Sequence, residues 1–281
     1  MPELPEVETV RRALAPRLKN RTFTDVRIIN GSVVAQPSPA EFAARVKGQT
    51  VAEFARRGKF LRFLFESGCT LTLHLRMTGC LTAAPRGAPC EKHTHLIFSL
   101  DDGGEIRYED VRRFGKFWFA EKGARDTSGI ESLGPEPGDA ITARYLREKA
   151  GKSGRSVKEM LLDQSVVAGI GNIYSDEILF AAGIRPDRRC DSLEDQEWAR
   201  LAAAIPERTA FFIEKNAMTF EEYVLGKGRE YRSAPWLRVY GRAEKPCSVC
   251  GGALRRTVIA GRSAVFSIIF SACVPARLVT P

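Results

Sequence analysis

The segment MPELPE contains residues that could carry out covalent chemistry on a sugar. Methionine is normally removed before a small residue, so Pro2 would present a free secondary amine. An α-amino group titrates at about 7.7–8.0, against about 10.4 for lysine, so part of it is unprotonated at neutral pH. Such an amine can attack a sugar C1′ to give an iminium ion, and the neighbouring Glu3 can transfer protons. Glu6 follows one helical turn later. Many proteins begin Met-Pro, however, and the segment alone also fits an ordinary N-terminus.

The connection SVVAGIGN joins two segments that have helical spacing. Its two glycines permit tight turns, and Asn172 is predicted to cap the second helix. Backbone N–H groups at a helix N-terminus bind phosphate, so this pattern is typical of a helix–two-turn–helix that docks on a DNA backbone. A glycine-rich turn between two ordinary helices has the same pattern, and the segment alone leaves that alternative open.

Cys247 and Cys250 form one C-x-x-C pair, which is half of a common zinc site. A four-cysteine site needs a second pair about 15–20 residues later, and only Cys273 follows. The same region is basic, with nine Lys and Arg against two Glu between Gly226 and Arg262, in a chain of net charge +9. This concentration of charge indicates a polyanionic partner such as nucleic acid, and a solvated basic face is the alternative.

Two periodicities indicate the elements that position these residues. Helical spacing predicts an N-terminal helix with one buried stripe, formed by Val7, Val10, Leu14 and Leu18. From about Thr22 the period changes to two, and alternation predicts strands in FLRFLF, TLTLHLRMT, HLIFSL, EIRYED and KFWFAE. Residues 1–125 are therefore predicted to form a helix followed by a β-sandwich or barrel.

The remaining residues divide into three predicted parts. Residues 126–140 are rich in Gly, Pro and Ser and read as a linker. Residues 141–225 are helical in pattern, with Gly183 closing the helix that follows GIGN. Residues 226–281 return to short, basic, turn-rich segments. The predicted fold class is α+β and multidomain.

Composition narrows the class of protein further. No apolar run has the length of a membrane span, and the N-terminus lacks the apolar region of a signal peptide. The seven cysteines are scattered and odd in number, which favours reduced thiols over a disulfide framework. We expect a monomeric cytoplasmic protein.

Segments along nearly the whole chain resemble, in the same order, those of the bacterial formamidopyrimidine-DNA glycosylase family: MPELPEVETV, GKFL, LHLRMTG, EKHTHL, DVRRFG, LGPEP, LLDQ…GIGNIYSDEILF, VYGR and PC-x-x-C. Leu4 distinguishes the start from that of the related endonuclease VIII enzymes, which usually have glycine there. The resemblance implies a base-excision-repair enzyme with two activities. It would remove 8-oxoguanine and formamidopyrimidines from duplex DNA, and it would cleave the abasic strand by β,δ-elimination.

The resemblance also implies roles for the residues of the active site. Pro2 would be the nucleophile that forms a Schiff base, and Glu3 the proton donor. Glu6 would help to position the site. Lys59, expected at a strand edge, would contact the phosphates of the lesion.

Further residues are implied to contact DNA after the damaged base has been flipped out of the helix. Met77, Arg112 and Phe114 would fill the gap, with Arg112 bonding the orphaned cytosine. Alternation alone would place Met77 in the core, and only the resemblance places it against DNA. His74, Asn172 and Arg262 would contact phosphates, with Arg262 at the tip of the finger hairpin.

The chain departs from the family pattern at two places. The second cysteine pair would fall at positions 267 and 270, where Ser267 and Phe270 stand. Zinc at Cys247 and Cys250 is therefore doubtful, and either the hairpin persists through apolar packing or DNA binding is weak. The segment KGREYRSAPW, where the family caps a flipped 8-oxoguanine, also differs and leaves the preferred lesion open.

Two alternatives to the oxidised-purine glycosylase follow from these departures. A damaged-DNA or abasic-site binding protein with little turnover would explain the lost cysteines. An endonuclease VIII-like enzyme would act on oxidised pyrimidines, which Leu4 and the segments MTG and DVRRFG argue against.

Overall fold

The computed structural model describes residues 2–268. Their α-helices and β-strands form two compact units. The elements before residue 131 are α1 (Leu4–Leu18), β1 (Phe23–Ile28), β2 (Val34–Gln36), α2 (Pro39–Val46), β3 (Val51–Arg57), β4 (Phe60–Phe65), β5 (Thr70–His74), β6 (Gly79–Pro85), β7 (Thr94–Leu100), β8 (Gly104–Asp110) and β9 (Lys116–Ala120). The later elements are α3 (Ala143–Ala150), α4 (Val157–Leu162), α5 (Asn172–Ala182), α6 (Asp195–Lys215), α7 (Phe220–Leu225), β10 (Arg255–Ile259) and β11 (Arg262–Phe266).

The first compact unit is built around two β-sheets. One sheet has the strand order β1-β7-β8-β6 and is antiparallel. The other has the order β2-β9-β5-β4-β3 and is antiparallel except for the pair β2–β9. Aromatic rings join the two sheets: the ring centroids of Phe23 and Phe63 are 5.8 Å apart, and those of Phe98 and Phe117 are 5.9 Å apart. The predicted α+β class, with a helix and a β-sandwich, is confirmed.

Helix α1 packs against β3 along the stripe that its spacing predicted. Val7, Val10, Leu14 and Leu18 are all fully buried. Burial of these side chains stabilises the helix by roughly 1.5–3 kcal/mol for each side chain. The helix therefore holds its N-terminus firmly against the sandwich.

Residues Asn216–Tyr231 also belong to the first unit, although they follow the helical segment of the second. The buried Tyr223 of α7 anchors them, because its hydroxyl donates a 2.6 Å hydrogen bond to the Leu81 carbonyl. The predicted boundary at 225 did not anticipate this return, since α7 continues the helical pattern of the residues before it. The other domain bounds stay predictions.

The second unit contains Ser132–Lys215 and the residues from Arg232 onward. Its helices α4 and α5 flank two turns, and Gly183 ends α5 in the left-handed conformation, as predicted. Helix α6 is a single helix with Pro206 inside it. Strands β10 and β11 form the expected hairpin. No helix among residues 2–268 combines the length and apolar character needed to cross a membrane.

Candidate active site and nucleic-acid contacts

The N-terminus of α1 places the candidate catalytic residues in a capping box. Glu3 occupies the N-cap position, and its backbone N–H donates a 2.9 Å hydrogen bond to Glu6 Oε2. The Glu3 side chain accepts from the backbone of Glu6 in return. This reciprocal pairing fixes the chain direction before the first helical turn. Pro2 and both glutamates are buried, so the candidate nucleophile lies beside two carboxyl groups that are held in place.

Glu6 is fixed from a second side by a residue far away in sequence. The amide of Asn216, which is fully buried, donates to Glu6 Oε1 at 3.3 Å. The carbonyl of Asn216 accepts from the Thr9 hydroxyl at 3.2 Å. The sequence contained no signal for Asn216, because its role depends on the return of the chain to the first unit.

Glu8 connects α1 to the turn that carries Lys59. Arg11, Arg12 and Arg56 all donate to its carboxylate at 2.7–2.9 Å. Burial alone would raise the pKa of Glu8, but these three hydrogen bonds lower it to about 2. Sequence reasoning missed Glu8, because a glutamate with arginines three and four residues later is typical of a surface ion pair.

Lys59 lies in a two-residue turn between β3 and β4, and the expectation that it stands on a strand edge is wrong. Gly58 has a φ of +55°, which permits the tight turn and pairs Arg57 with Phe60. Arg56 supports this turn, because its guanidinium donates to the Gly58 carbonyl at 3.1 Å. Lys59 therefore stands at the end of the hairpin nearest to the Glu8 network.

His74 ends β5 and pairs in register with Phe60, directly beside this turn. Burial, together with the charges of Arg76 and Lys59, lowers its pKa to about 3. The Arg76 backbone N–H donates to His74 Nδ1 at 2.9 Å, so we assign the neutral tautomer with the proton on Nε2. His74 can therefore offer one N–H donor to a phosphate without carrying a charge.

Met77, Arg112 and Phe114 form one exposed cluster. Met77 and Phe114 are 44% and 48% exposed, which is unusual for large apolar side chains. Arg112 lies between them: its Nη1 donates to Met77 Sδ at 3.0 Å, and its guanidinium lies 4.5 Å from the Phe114 ring centroid. The structure brings these three residues together and keeps Met77 out of the core.

Asn172 and Arg262 come together in the second unit. Asn172 is the first residue of α5, and Gly171 takes the N-cap position that was predicted for Asn172. The Asn172 amide donates to Ser263 Oγ at 3.4 Å, and Ser263 follows Arg262 on β11. Asn172 Oδ1 is buried and has no hydrogen-bond partner among the described residues. Arg262 is exposed and directly follows the hairpin turn, as expected.

Cys247 and Cys250 do not fit a structural zinc site with the described residues. The Cys250 thiol lies 3.4 Å from the Ser267 hydroxyl, so the position of a further ligand holds an oxygen that is a poor zinc donor. Residues 2–268 contain no group of three or more His, Cys, Asp or Glu placed to hold a metal. Phe270 and Cys273 lie outside the described residues.

The atypical segment after α7 is tied to the first unit as far as Tyr231. Lys227 forms a 2.8 Å ion pair with Glu91, and Arg229 pairs with Glu109. Trp236, further along, belongs to the second unit and stacks edge-on against Phe211. These contacts hold residues near the start and at the end of the segment. Its role in choosing a lesion stays a prediction.

The chain matches known domain families over most of its length. The formamidopyrimidine-DNA glycosylase N-terminal domain matches residues 1–117, and the formamidopyrimidine-DNA glycosylase H2TH domain matches residues 133–222. A formamidopyrimidine-DNA glycosylase of Geobacillus kaustophilus is 45% identical over 265 residues, which cover 93% of this chain and 96% of that protein.

Solved structures agree with this relationship. A complex of Lactococcus lactis Fpg with abasic-site DNA superposes with a TM-score of 0.86 at 32% identity, covering 96% of this chain and 99% of that one. A complex of the same protein with FAPY-dG DNA gives a TM-score of 0.85 at 32% identity, covering 95% and 99%. Because the two domain families match most of the chain and a 45% identical relative covers 93% of it, this protein belongs to the formamidopyrimidine-DNA glycosylase family.

Proposed function

We propose that this protein removes oxidised purines from duplex DNA and cleaves the strand at the resulting abasic site, with Pro2 as the nucleophile. Family membership makes it a base-excision DNA glycosylase, and the Lactococcus lactis relative is solved with abasic and FAPY-dG DNA. The observation that carries the residue assignment is the capping box, which holds Pro2 beside Glu3 and Glu6.

The chemistry follows from the properties of a secondary amine. The Pro2 nitrogen forms a bond to C1′ while the bond from C1′ to the base breaks, and the departing base takes up a proton. The sugar ring then opens to an iminium ion as the ring oxygen accepts a proton from Glu3. The iminium acts as an electron sink: loss of a proton from C2′ expels the 3′ phosphate, and loss of a proton from C4′ then expels the 5′ phosphate. Water finally releases Pro2.

The remaining residues support binding to the damaged strand. Lys59, His74, Asn172 and Arg262 are proposed phosphate contacts, which position the backbone without reading the bases. Met77, Arg112 and Phe114 are proposed to fill the gap left by the flipped nucleotide. Their exposure and mutual contacts support this role, since large apolar side chains exposed together mark a binding surface.

We also propose that the β10–β11 hairpin keeps its position without zinc. Two adjacent acids of α5 provide the alternative support. Asp176 accepts from the Val265 backbone at 3.0 Å and pairs with Lys158 at 2.5 Å, while Glu177 accepts from the backbone N–H groups of residues 238–240. Lys158 in turn donates to the Ser263 carbonyl at 2.8 Å.

Borohydride trapping on a duplex with 8-oxoguanine opposite cytosine tests the proposal. Reduction of the iminium ion should give a covalent complex, and peptide mapping should place the adduct at residue 2. Pro2→Gly keeps a primary amine but loses the fixed ring, so the rate of base excision should fall by at least tenfold while DNA affinity changes little.

The matched control is Pro16→Ala, which changes a proline in the last turns of the same helix and should leave trapping intact. Failure to trap the parent protein on both this duplex and an abasic duplex would overturn the proposal in favour of a damaged-DNA binding protein. An adduct only with oxidised pyrimidines would instead favour the endonuclease VIII-like alternative.

A further inference from the structure

Two loops carry the exposed cluster of Met77, Arg112 and Phe114. Both loops donate hydrogen bonds to the same buried carboxylate, that of Asp110. The first wedge loop is Leu75–Thr78, between β5 and β6, and contains Met77. The second wedge loop is Val111–Gly115, between β8 and β9, and contains Arg112 and Phe114. Asp110 is the last residue of β8 and is fully buried beneath them.

The carboxylate of Asp110 accepts one hydrogen bond from the first loop and two from the second. Its Oδ1 accepts from the Thr78 hydroxyl and, at 3.1 Å, from the Arg112 backbone N–H. Its Oδ2 accepts from the Gly115 backbone N–H at 2.9 Å and from the Tyr108 hydroxyl at 3.0 Å. An ionised carboxylate has about four acceptor sites, so this one is fully used.

The residues around Asp110 are arranged so that these bonds can form. The Tyr108 hydroxyl lies against two glycines: a Cβ built on Gly79, directly after the first loop, would lie 2.6 Å from it, and one on Gly115 of the second loop only 1.8 Å from it. His95 Nε2 lies 2.7 Å from the backbone carbonyl of Asp110 and holds the main chain of the same residue. Burial alone would raise the pKa of Asp110, but the bonds from Thr78, Gly115, Tyr108 and Arg112 keep it below its usual value.

Both loops contain backbone strain that such an anchor can offset. Arg76, just before Met77, has a φ of +56°, and Arg113, just before Phe114, has a φ of +58°. Non-glycine residues adopt this left-handed region rarely, and they keep it only where the surroundings enforce it. The loops therefore present Met77 and Phe114 outward in a conformation that neither loop would favour alone.

We propose that Asp110 is a positioning residue that couples the two wedge loops, so that Met77, Arg112 and Phe114 enter the DNA as one preformed unit. This inference rests on the proposed function, since it assigns the loops to gap filling. It predicts that loss of the Asp110 carboxylate slows reaction on a substrate whose base stack must be opened and filled. The same loss should have little effect on the rate where the sugar is already accessible.

The test compares two substrates with the Asp110→Asn variant of the full chain. One is a duplex with 8-oxoguanine opposite cytosine, and the other is a single-stranded oligonucleotide with a preformed abasic site, which has no opposite base and no gap to fill. Asparagine has nearly the same volume but offers one acceptor oxygen instead of two, and its amide would face two donors. Single-turnover excision from the duplex should fall by about tenfold, while cleavage of the single strand stays within about twofold of the parent.

Thr78→Val is the second variant. It removes the bond from the Thr78 hydroxyl to Asp110 and the 3.2 Å bond that this hydroxyl accepts from the Arg112 backbone N–H, while Asp110 still accepts from Arg112 and Gly115 of the second loop. It should show the same selective loss, smaller in size, and it keeps the test valid if Asp110→Asn does not fold. An equal loss on both substrates, or no loss on either, would overturn the coupling. A parent protein that cleaves neither substrate would refute the proposed function itself, a result distinct from the loss of selectivity in a variant.

Discussion

Burial and two nearby positive charges lower the pKa of His74 to about 3, so the imidazole stays neutral well below the pH at which an exposed histidine takes up a proton. It is buried beside two positive charges, Arg76 and Lys59, and its Nδ1 accepts a backbone hydrogen bond. A neutral imidazole in this position keeps one N–H donor for the proposed phosphate contact and adds no further charge beside Arg76 and Lys59. The cost of this arrangement should appear as a pH dependence of stability.

Substitution of His74 tests this cost. The pKa of His74 is depressed from 6.5 to about 3 in the folded state, so the unfolded chain binds a proton first as the pH falls. Stability is therefore lost below about pH 6.5, and at pH 5 the loss from this residue is about 2 kcal/mol. The parent should lose that much more stability between pH 7 and pH 5 than His74→Gln, as measured by urea unfolding. Equal losses for both proteins would contradict a buried, neutral His74.

Single residues also show what the sequence could and could not predict. The chemistry of an N-terminal secondary amine pointed to Pro2 and Glu3, whereas only the family resemblance suggested roles for Met77, Arg112 and Phe114. Asn216 and Asp110 were not identified, because their importance arises from hydrogen bonds to residues that tertiary structure brings close. Asp110 ends the predicted strand EIRYED directly after Glu109, and the pattern does not separate a buried anchor from a surface charge there.

The β10–β11 hairpin is hydrogen-bonded to a buried ion pair, which we propose supports it without zinc. Lys158 of α4 and Asp176 of α5 have no solvent exposure, and both also bond the backbone of β11. Replacing both members of such a buried pair with apolar residues often changes the free energy of unfolding little. Removing only one member leaves an uncompensated buried charge and is strongly destabilising. The hairpin should therefore be sensitive to single substitutions and much less so to paired ones.

Asp176→Asn should destabilise the second unit by about 3–5 kcal/mol, because Lys158 keeps its charge without a carboxylate partner. The double variant Lys158→Met with Asp176→Leu should recover most of that loss. Urea unfolding measures both, and a chelator should leave the parent curve unchanged. Equal losses in the single and double variants, or unfolding by the chelator, would contradict a hairpin held by this pair without zinc.

At the scale of elements, the sequence predicted most strands and the principal helices, because their apolar residues repeat with the correct period. The alternation in TLTLHLRMT correctly predicted β5 but continued past its end, since Leu75 and Met77 keep the period after the strand stops at His74. The positive φ at Arg76 breaks the strand there, and no residue type at that position signals it. Local pattern also could not predict that α7 belongs to the first unit, because Leu81, which accepts the hydrogen bond from Tyr223, lies far away in sequence.

Charge is the property of the whole molecule that bears most directly on DNA binding. The net charge is +9, and much of it lies between Gly226 and Arg262. Each phosphate that a cationic side chain neutralises adds about 0.9 to the slope of log affinity against log salt concentration. Affinity for a lesion duplex should therefore fall steeply between low and moderate salt.

Arg262→Ala should reduce that slope by about 1, because it removes one proposed phosphate contact. Arg144→Ala is the control: it removes the same charge from an exposed residue of α3 that pairs with Glu148 and has no proposed DNA contact. Fluorescence anisotropy across a salt series measures both slopes. Equal slopes for the two variants would remove Arg262 from the binding surface, and a flat parent curve would contradict the electrostatic argument.

The contact between Tyr108 and Gly115 has a consequence in evolutionary terms. A β-carbon at position 115 would overlap the Tyr108 hydroxyl at 1.8 Å, so any side chain there requires a shorter or displaced residue at position 108. Loss of that hydroxyl also removes one of the four donors to Asp110. A side chain at position 115 can therefore be accepted only after a change at position 108, and that change removes one of the bonds through which Asp110 is proposed to support both wedge loops.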